Sequence, residues 1–264
     1  MVKTVSNKSK IRQDAMSLNP IDDSLFTKMA ADIAFCQEIL QVILNNKTLK
    51  VLDNVPQFVA KNLQGRSCIL DLKCMLGNGR VVDVEVQRAD NDDHQRRVRY
   101  HGALLTTNIT EPSDIFKNVP DVIVIFISKF DIFKLGKSLY HVDRIVRETG
   151  TLIDNGFTEI YVNAEADDKT DVAKLMEIFV HDDVYDDTIF PVTSSRKRRF
   201  KTTEEGVREM CEVMERYRAE GVTEGLTEAA IGMLKEKLSV ELIARVTKLT
   251  VEQVIEIGKK NSLI

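Results

Sequence analysis

Apolar positions at Leu25, Met29, Ile33, Cys36, Leu40, Ile43 and Leu44 recur in steps of three and four, the spacing of one helix face. They predict a helix from about 23 to 46, with Asp22 or Asp23 as its N-cap. A connector containing Pro56 follows. Residues 66–76 then alternate with period two, Gly77-Asn78-Gly79 signals a turn, and residues 80–87 alternate again. Asp92 or Asp93 caps a second helix running to about 109. Val122 to Ile127 is a run of consecutive, mostly β-branched apolar residues, which suits a strand buried on both faces. Thr158 to Asn163 reads as another strand and Asp171 to Val180 as a helix. From 203 onward the pattern is helical throughout. The fold class is therefore α/β: a mixed central β-sheet flanked by helices, with a C-terminal helical extension. Three segments are expected: a polar, basic, mobile arm over 1–19, a domain over 20–200, and the extension over 201–264.

The hairpin over 66–87 is the most informative stretch. Strict alternation puts Cys68, Leu70, Leu72, Cys74 and Leu76 on one face, with Ile69, Asp71, Lys73 and Met75 on the other. On the second strand Val82, Val84 and Val86 oppose Asp83, Glu85 and Gln87. Matching the apolar faces requires a three-residue loop at 77–79, with Gly79 supplying the left-handed position. That register sets Leu72 opposite Val84, Lys73 opposite Asp83, and Asp71 opposite Glu85. Directly opposed carboxylates repel unless one is protonated or a cation lies between them. A hard divalent ion, Mg²⁺ or Mn²⁺, is the natural occupant. An exposed hairpin face partly neutralised by Lys73 satisfies the same spacing, so spacing alone leaves both open.

Composition removes other classes. With 37 Lys+Arg against 41 Asp+Glu, a nucleic-acid surface has to be a local patch. The one basic run of four residues is Arg196-Lys197-Arg198-Arg199, which can contact a DNA backbone or be a solvated loop. Apolar runs fall far short of the roughly 18 residues of a membrane span. The basic N-terminus has no apolar stretch behind it, so it does not read as a secretory signal. Cys36, Cys68, Cys74 and Cys211 form no C-x-x-C pair and read as buried thiols in a reducing cytosol, which makes a cytoplasmic location the expectation. No phosphate-binding glycine loop occurs. The four histidines are scattered at no ligand spacing and receive no role.

Asp71, followed after the glycine turn by Glu85-Val86-Gln87, resembles the PD-(D/E)XK nuclease motif. Gln in the Lys position is similar to the branch of recombination-promoting nucleases and transposase-associated proteins. Asp23-Ser24-Leu25-Phe26 resembles that branch's Asp-x-x-Phe-Lys, departing at Thr27. Arg97-Val98-Arg99-Tyr100 is similar to its Arg-x-x-Tyr, and Phe130-Asp131-Ile132-Phe133 follows the Val/Ile strand. The resemblance spans roughly 20–200. It implies a restriction-endonuclease-like fold and a metal-dependent DNA endonuclease linked to recombination or a mobile element. It also implies Mg²⁺, replaceable by Mn²⁺, held by Asp71, Glu85 and the Val86 carbonyl. An acid from the first helix completes such sites; Glu38 is preferred, with Asp32 and Asp23 as rivals. Gln87 cannot accept a proton and is left to position water.

Arg97 and Tyr100 share a helix face, to contact phosphate or support the site, or simply as an Arg packed over a Tyr. With Arg196 and Lys197 they are the expected DNA contacts. The alternative function is a weak or inactive relative acting as a DNA- or protein-binding module. In the tail, Ile243 to Thr250 looks like a helix-turn-helix turn. Its mixed charges favour packing, as a homodimer contact, over sequence reading.

Overall fold

A computed structural model describes the backbone of residues 2–264 and the side chains from residue 9 onward. In chain order the elements are α1 (Val2–Met16), α2 (Asp23–Ala30), α3 (Ile33–Ile43), β1 (Val51–Ala60), β2 (Cys68–Leu76), β3 (Val81–Gln87) and α4 (His94–Ile109). Then come β4 (Val122–Ser128), β5 (Leu139–Val142), β6 (Arg144–Val146), β7 (Thr151–Ile153), β8 (Phe157–Asn163) and α5 (Asp171–Val180). Helices α6 (Pro191–Thr202), α7 (Glu204–Lys235), α8 (Val240–Thr247) and α9 (Val251–Lys260) end the chain. Backbone contacts define two compact units, one ending at Met210 and the other Cys211–Ile264.

The first unit is built on a six-stranded mixed sheet of order β1-β2-β3-β4-β8-β5. β3, β4 and β8 run parallel in the middle; β1, β2 and β5 are antiparallel to their neighbours. The Val/Ile run forms β4, every residue of which is buried. Helix α4 covers one face, packing Val98, Leu104 and Leu105 over Val81, Val124, Phe126 and Tyr161. Its approach is close at Gly102, where a Cβ would overlap the Phe157 ring. Helices α2, α3 and α5 cover the other face, joined by the rings of Phe26, Phe35 and Phe179 at 6.0–6.4 Å.

Several elements depart from the pattern reading. The helix expected over 23–46 is two helices. Asp32 stops the first and caps the second, accepting from the Ala34 N–H at 2.8 Å. The connector around Pro56 is strand β1 at the sheet edge, where a missing N–H removes no ladder bond. Strand β5 and the β6–β7 ladder were not foreseen either. In the expected arm, residue 1 and the side chains of residues 1–8 lie outside the described residues. Residues 2–16 form helix α1, held by buried Ala15 and, just past its end, by a Lys201 Nζ bond to the Leu18 carbonyl at 2.9 Å. Among the described residues, no helix is long and apolar enough to cross a membrane.

The second unit packs Ala230 and Leu234 of α7 against Ile243 and Ala244 of α8 and Val254 of α9. A capping box between Thr250 and Gln253 starts α9.

Candidate active site

Gly79 has φ +85°, and the β2–β3 ladder pairs Leu72 with Val84, Lys73 with Asp83, Cys74 with Val82 and Met75 with Val81. This is the register expected of a three-residue loop. Beyond Leu72 the two strands part, and side chains replace the ladder. The Asp71 N–H donates to Glu85 Oε1 at 3.0 Å, and the Val86 N–H donates to Asp71 Oδ2 at 2.9 Å. Each carboxylate thus satisfies the backbone of the opposite strand.

The strand also changes phase here. Cys68 and Leu70 pack under α4, whereas Cys74 meets Cys36 of α3. Strict alternation would put all three on one face, so the face assignment made from spacing holds only for the turn half of β2. On the neighbouring strand Gln57 has φ +53°, between the pairs Pro56–Leu72 and Phe58–Leu70. A left-handed residue there locally breaks the pleat and accommodates the change.

The acidic face is not solvent-exposed. Asp83 and Glu85 are 0% exposed and Asp71 9%. Helix α4 brings cations to them: Arg97 Nη2 donates to Glu85 Oε2 at 3.1 Å and Nη1 to Gln87 Oε1 at 2.9 Å. Gln87 uses its amide on the Ala89 carbonyl at 2.8 Å, so both ends of its side chain are engaged. One turn along α4, His101 Nδ1 lies 3.3 Å from Glu85 Oε2 and 3.7 Å from Asp83 Oδ2. Burial and the charge of Glu85 push the Asp71 carboxyl well up, with the Val86 N–H acting the other way. Burial and Glu85 likewise raise Asp83, to about 8. Burial disfavours charge on His101, but Asp83 and Glu85 outweigh it and raise the imidazole to about 9. Beside the carboxylates a groove of about 770 Å³ is lined by Arg66, Arg96, Arg97, Arg99, Tyr100 and His101.

Of the acids proposed from the first helix, Asp23 is the one at this site. Its carboxyl is raised by burial and by the charge of Glu85, against a hydrogen bond from Thr27, and it accepts from Gln57 Nε2 at 3.2 Å. Glu38 is elsewhere. It accepts the N–H groups of Val192 at 3.1 Å and Thr193 at 2.7 Å, capping the start of α6. Glu38→Ala is therefore expected to destabilise the fold by about 1–2 kcal/mol, the scale of a lost cap, and to leave metal binding unchanged. Thermal denaturation and Mn²⁺ titration of the variant check both. Asp32 caps α3 and pairs with Arg196 at 3.4 Å.

Tyr100 donates to the Arg66 carbonyl and accepts from Asn62 Nδ2 at 3.2 Å, holding the loop between β1 and β2. The basic run lies on α6, not in a loop. Lys197 is buried, with Nζ donating to the carbonyls of Ile178 at 2.9 Å, Val184 at 3.2 Å and His181. Burial, with Lys201 nearby, lowers its ammonium to about 8. Arg196 donates to the Lys28 carbonyl at 3.2 Å and Arg198 pairs with Asp187 at 2.9 Å. Lys197 is thus withdrawn from any phosphate, and its neighbours are already partnered.

Spacing missed His101 and Asp83. The available signal was His101 four residues after Arg97, on the same face of a helix that crosses β3.

A mixed sheet flanked by helices, with carboxylates from two strands meeting where their hairpin splays, defines a restriction-endonuclease-like α/β protein. Residues 25–224 match the PD-(D/E)XK nuclease family transposase family, and the chain belongs to it. No curated protein and no solved structure matches the chain.

Proposed function

We propose that this chain is a metal-dependent DNA endonuclease hydrolysing phosphodiester bonds at Asp71 and Glu85, in a recombination or mobile-element setting. The observation that supports this is the reciprocal bonding of Asp71 and Glu85 across the splayed hairpin, with Arg97 forked over Glu85 and Gln87. The donors suit a divalent ion. Two buried, mutually repelling carboxylates gain from a shared cation, and hard oxygens select Mg²⁺, with Mn²⁺ able to substitute. The Val86 carbonyl is the further ligand, and Asp23 takes the place first given to Glu38. When bound, such an ion lowers the pKa of a water and neutralises charge on the scissile phosphate.

The chain's own residues supply the rest. Arg97 gives a fixed positive charge where the motif's Lys is missing, and its side chain is 32% exposed toward the groove. Gln87 acts by holding Arg97 in place, its amide oxygen accepting from Arg97 Nη1 while its amide nitrogen is tied to the Ala89 carbonyl. Arg66, Arg96 and Arg99 line the path of the DNA backbone. Tyr100 acts through the loop that carries Arg66.

Nicking of supercoiled plasmid by the full chain with Mg²⁺ or Mn²⁺, stopped by EDTA, is the expected result. Binding of DNA without nicking in either ion overturns the reading in favour of a binding module. Gln87→Lys sets an ammonium against the Arg97 guanidinium. The single-turnover rate should fall roughly tenfold, the effect of little more than 1 kcal/mol of like-charge repulsion. A faster variant would show that position 87 works as the motif's Lys does.

For Cys211–Ile264 we propose a homodimer contact. Val246, 57% exposed, and Val251, 36% exposed, leave apolar surface on this small unit. Light scattering of the full chain and of Val246→Glu checks it, with a monomeric wild type counting against it.

A further inference from the structure

A second cluster lies against the pair just described. Asp83 has no exposed surface, and neither of its oxygens takes part in a hydrogen bond. His101 Nδ1 is buried and also without one. Yet the three residues Asp83, Glu85 and His101 each place one ligand atom within 4.8 Å of the other two. The two His101 separations, 3.3 Å to Glu85 and 3.7 Å to Asp83, are too long or too poorly aligned for good hydrogen bonds. They are close to what a shared ion requires, since ligands about 2.1 Å from one centre stand roughly 3–3.6 Å apart. An internal ion pair alone leaves both Asp83 oxygens unsatisfied, which native interiors avoid. A cation takes one ligand atom from each of the three groups at once, including one of the two unpartnered Asp83 oxygens.

We infer that Asp83, Glu85 and His101 form an inner divalent-cation site, separate from the Asp71–Glu85 pair and joined to it through Glu85. The joint is visible in the two Glu85 oxygens: Oε1 takes the Asp71 N–H, and Oε2, which also accepts from Arg97 Nη2 at 3.1 Å, faces His101. One imidazole nitrogen with two carboxylates favours Mn²⁺ or Zn²⁺ over Mg²⁺. His101 rides on α4 one turn from Arg97, so the inner ion fixes the helix that carries Arg96, Arg97 and Arg99. The site goes beyond the nuclease reading, because the ion binds whether or not DNA is cut.

The test is pulsed electron paramagnetic resonance of the full chain loaded with Mn²⁺ alone. The expected spectrum shows nitrogen coupling that changes to the ¹⁵N pattern when histidine is ¹⁵N-labelled, with no variant needed. His101→Gln should lose the coupling. Asp71→Asn, which alters only the outer pair, should keep it. No histidine coupling in the wild type, or coupling that survives His101→Gln, overturns the inference. Should His101→Gln fail to fold, His94→Gln, His141→Gln and His181→Gln must each retain the coupling, and its loss in any of them overturns the inference. Nicking without histidine coupling would reject the inner site and keep the nuclease. Coupling without nicking would do the reverse.

Discussion

Asp71→Asn is expected to abolish cleavage while the protein stays folded. Loss of a group that a reaction cannot run without typically lowers the rate on the order of 10³-fold or more. The fold should survive for a specific reason. The Asp71 carboxyl is pushed well up by burial and by Glu85, so the folded protein holds it charged only at a cost. Asn removes that charge and keeps an oxygen for the Val86 N–H, which Asp71 Oδ2 accepts at 2.9 Å. The metal-free variant should therefore melt at the wild-type temperature or higher. Asp71→Ala is the poorer test, because it leaves the Val86 N–H buried without an acceptor. Single-turnover plasmid nicking with thermal denaturation of the same sample measures both outcomes. Undiminished nicking would remove Asp71 from the site. Lost nicking with a collapsed melting temperature would make its role structural.

How far the sequence revealed this arrangement depends on whether each signal was local. The β4 run was legible because a strand buried on both faces needs apolar residues at every position, which few other structures demand. The hairpin register was legible because Gly79 and the apolar sets allow only one loop length. The phase change at Asp71 was not. Leu70 and Leu72 continue the alternation without a mark, and the break depends on Gln57 in a left-handed conformation on another strand. β1 itself was hidden by Pro56, which reads as a connector until the strand is known to lie at an edge. Glu38 and Lys197 were misplaced for one shared reason. Charged residues read from sequence look free to face solvent or a ligand, whereas these two bind backbone groups of remote segments. Asp23, only a rival to Glu38 in the sequence, lies beside Gln57 because its neighbour Phe26 is a core residue and holds the start of α2 against β1. The site is thus a product of docking between α2, α4 and the hairpin, and only the hairpin's share is written locally.

Arg97→Ala should bring the second largest loss of activity, about 10²–10³-fold in single-turnover rate, the scale of removing one charge-stabilising donor. Two observations set it apart from the other groove arginines. Its guanidinium spans Glu85 Oε2 and Gln87 Oε1, so it is held in a fork rather than swinging free. It also occupies the region where the motif's Lys is absent. Arg97→Lys keeps the charge but reaches one of those oxygens at a time, since an ammonium is a point donor. That variant should recover part of the rate, leaving a deficit of roughly tenfold. Arg96→Ala, from the same groove but paired with exposed Asp93 at 3.2 Å, should weaken DNA binding and leave the saturated rate unchanged. The comparison separates chemistry from affinity: rates at saturating enzyme for the former, gel shifts in Ca²⁺ for the latter. Equal saturated rates for wild type and Arg97→Ala would reduce Arg97 to a phosphate contact like its neighbours. The missing Lys would then have no replacement, and hydrolysis would rest on the carboxylates and their metal alone.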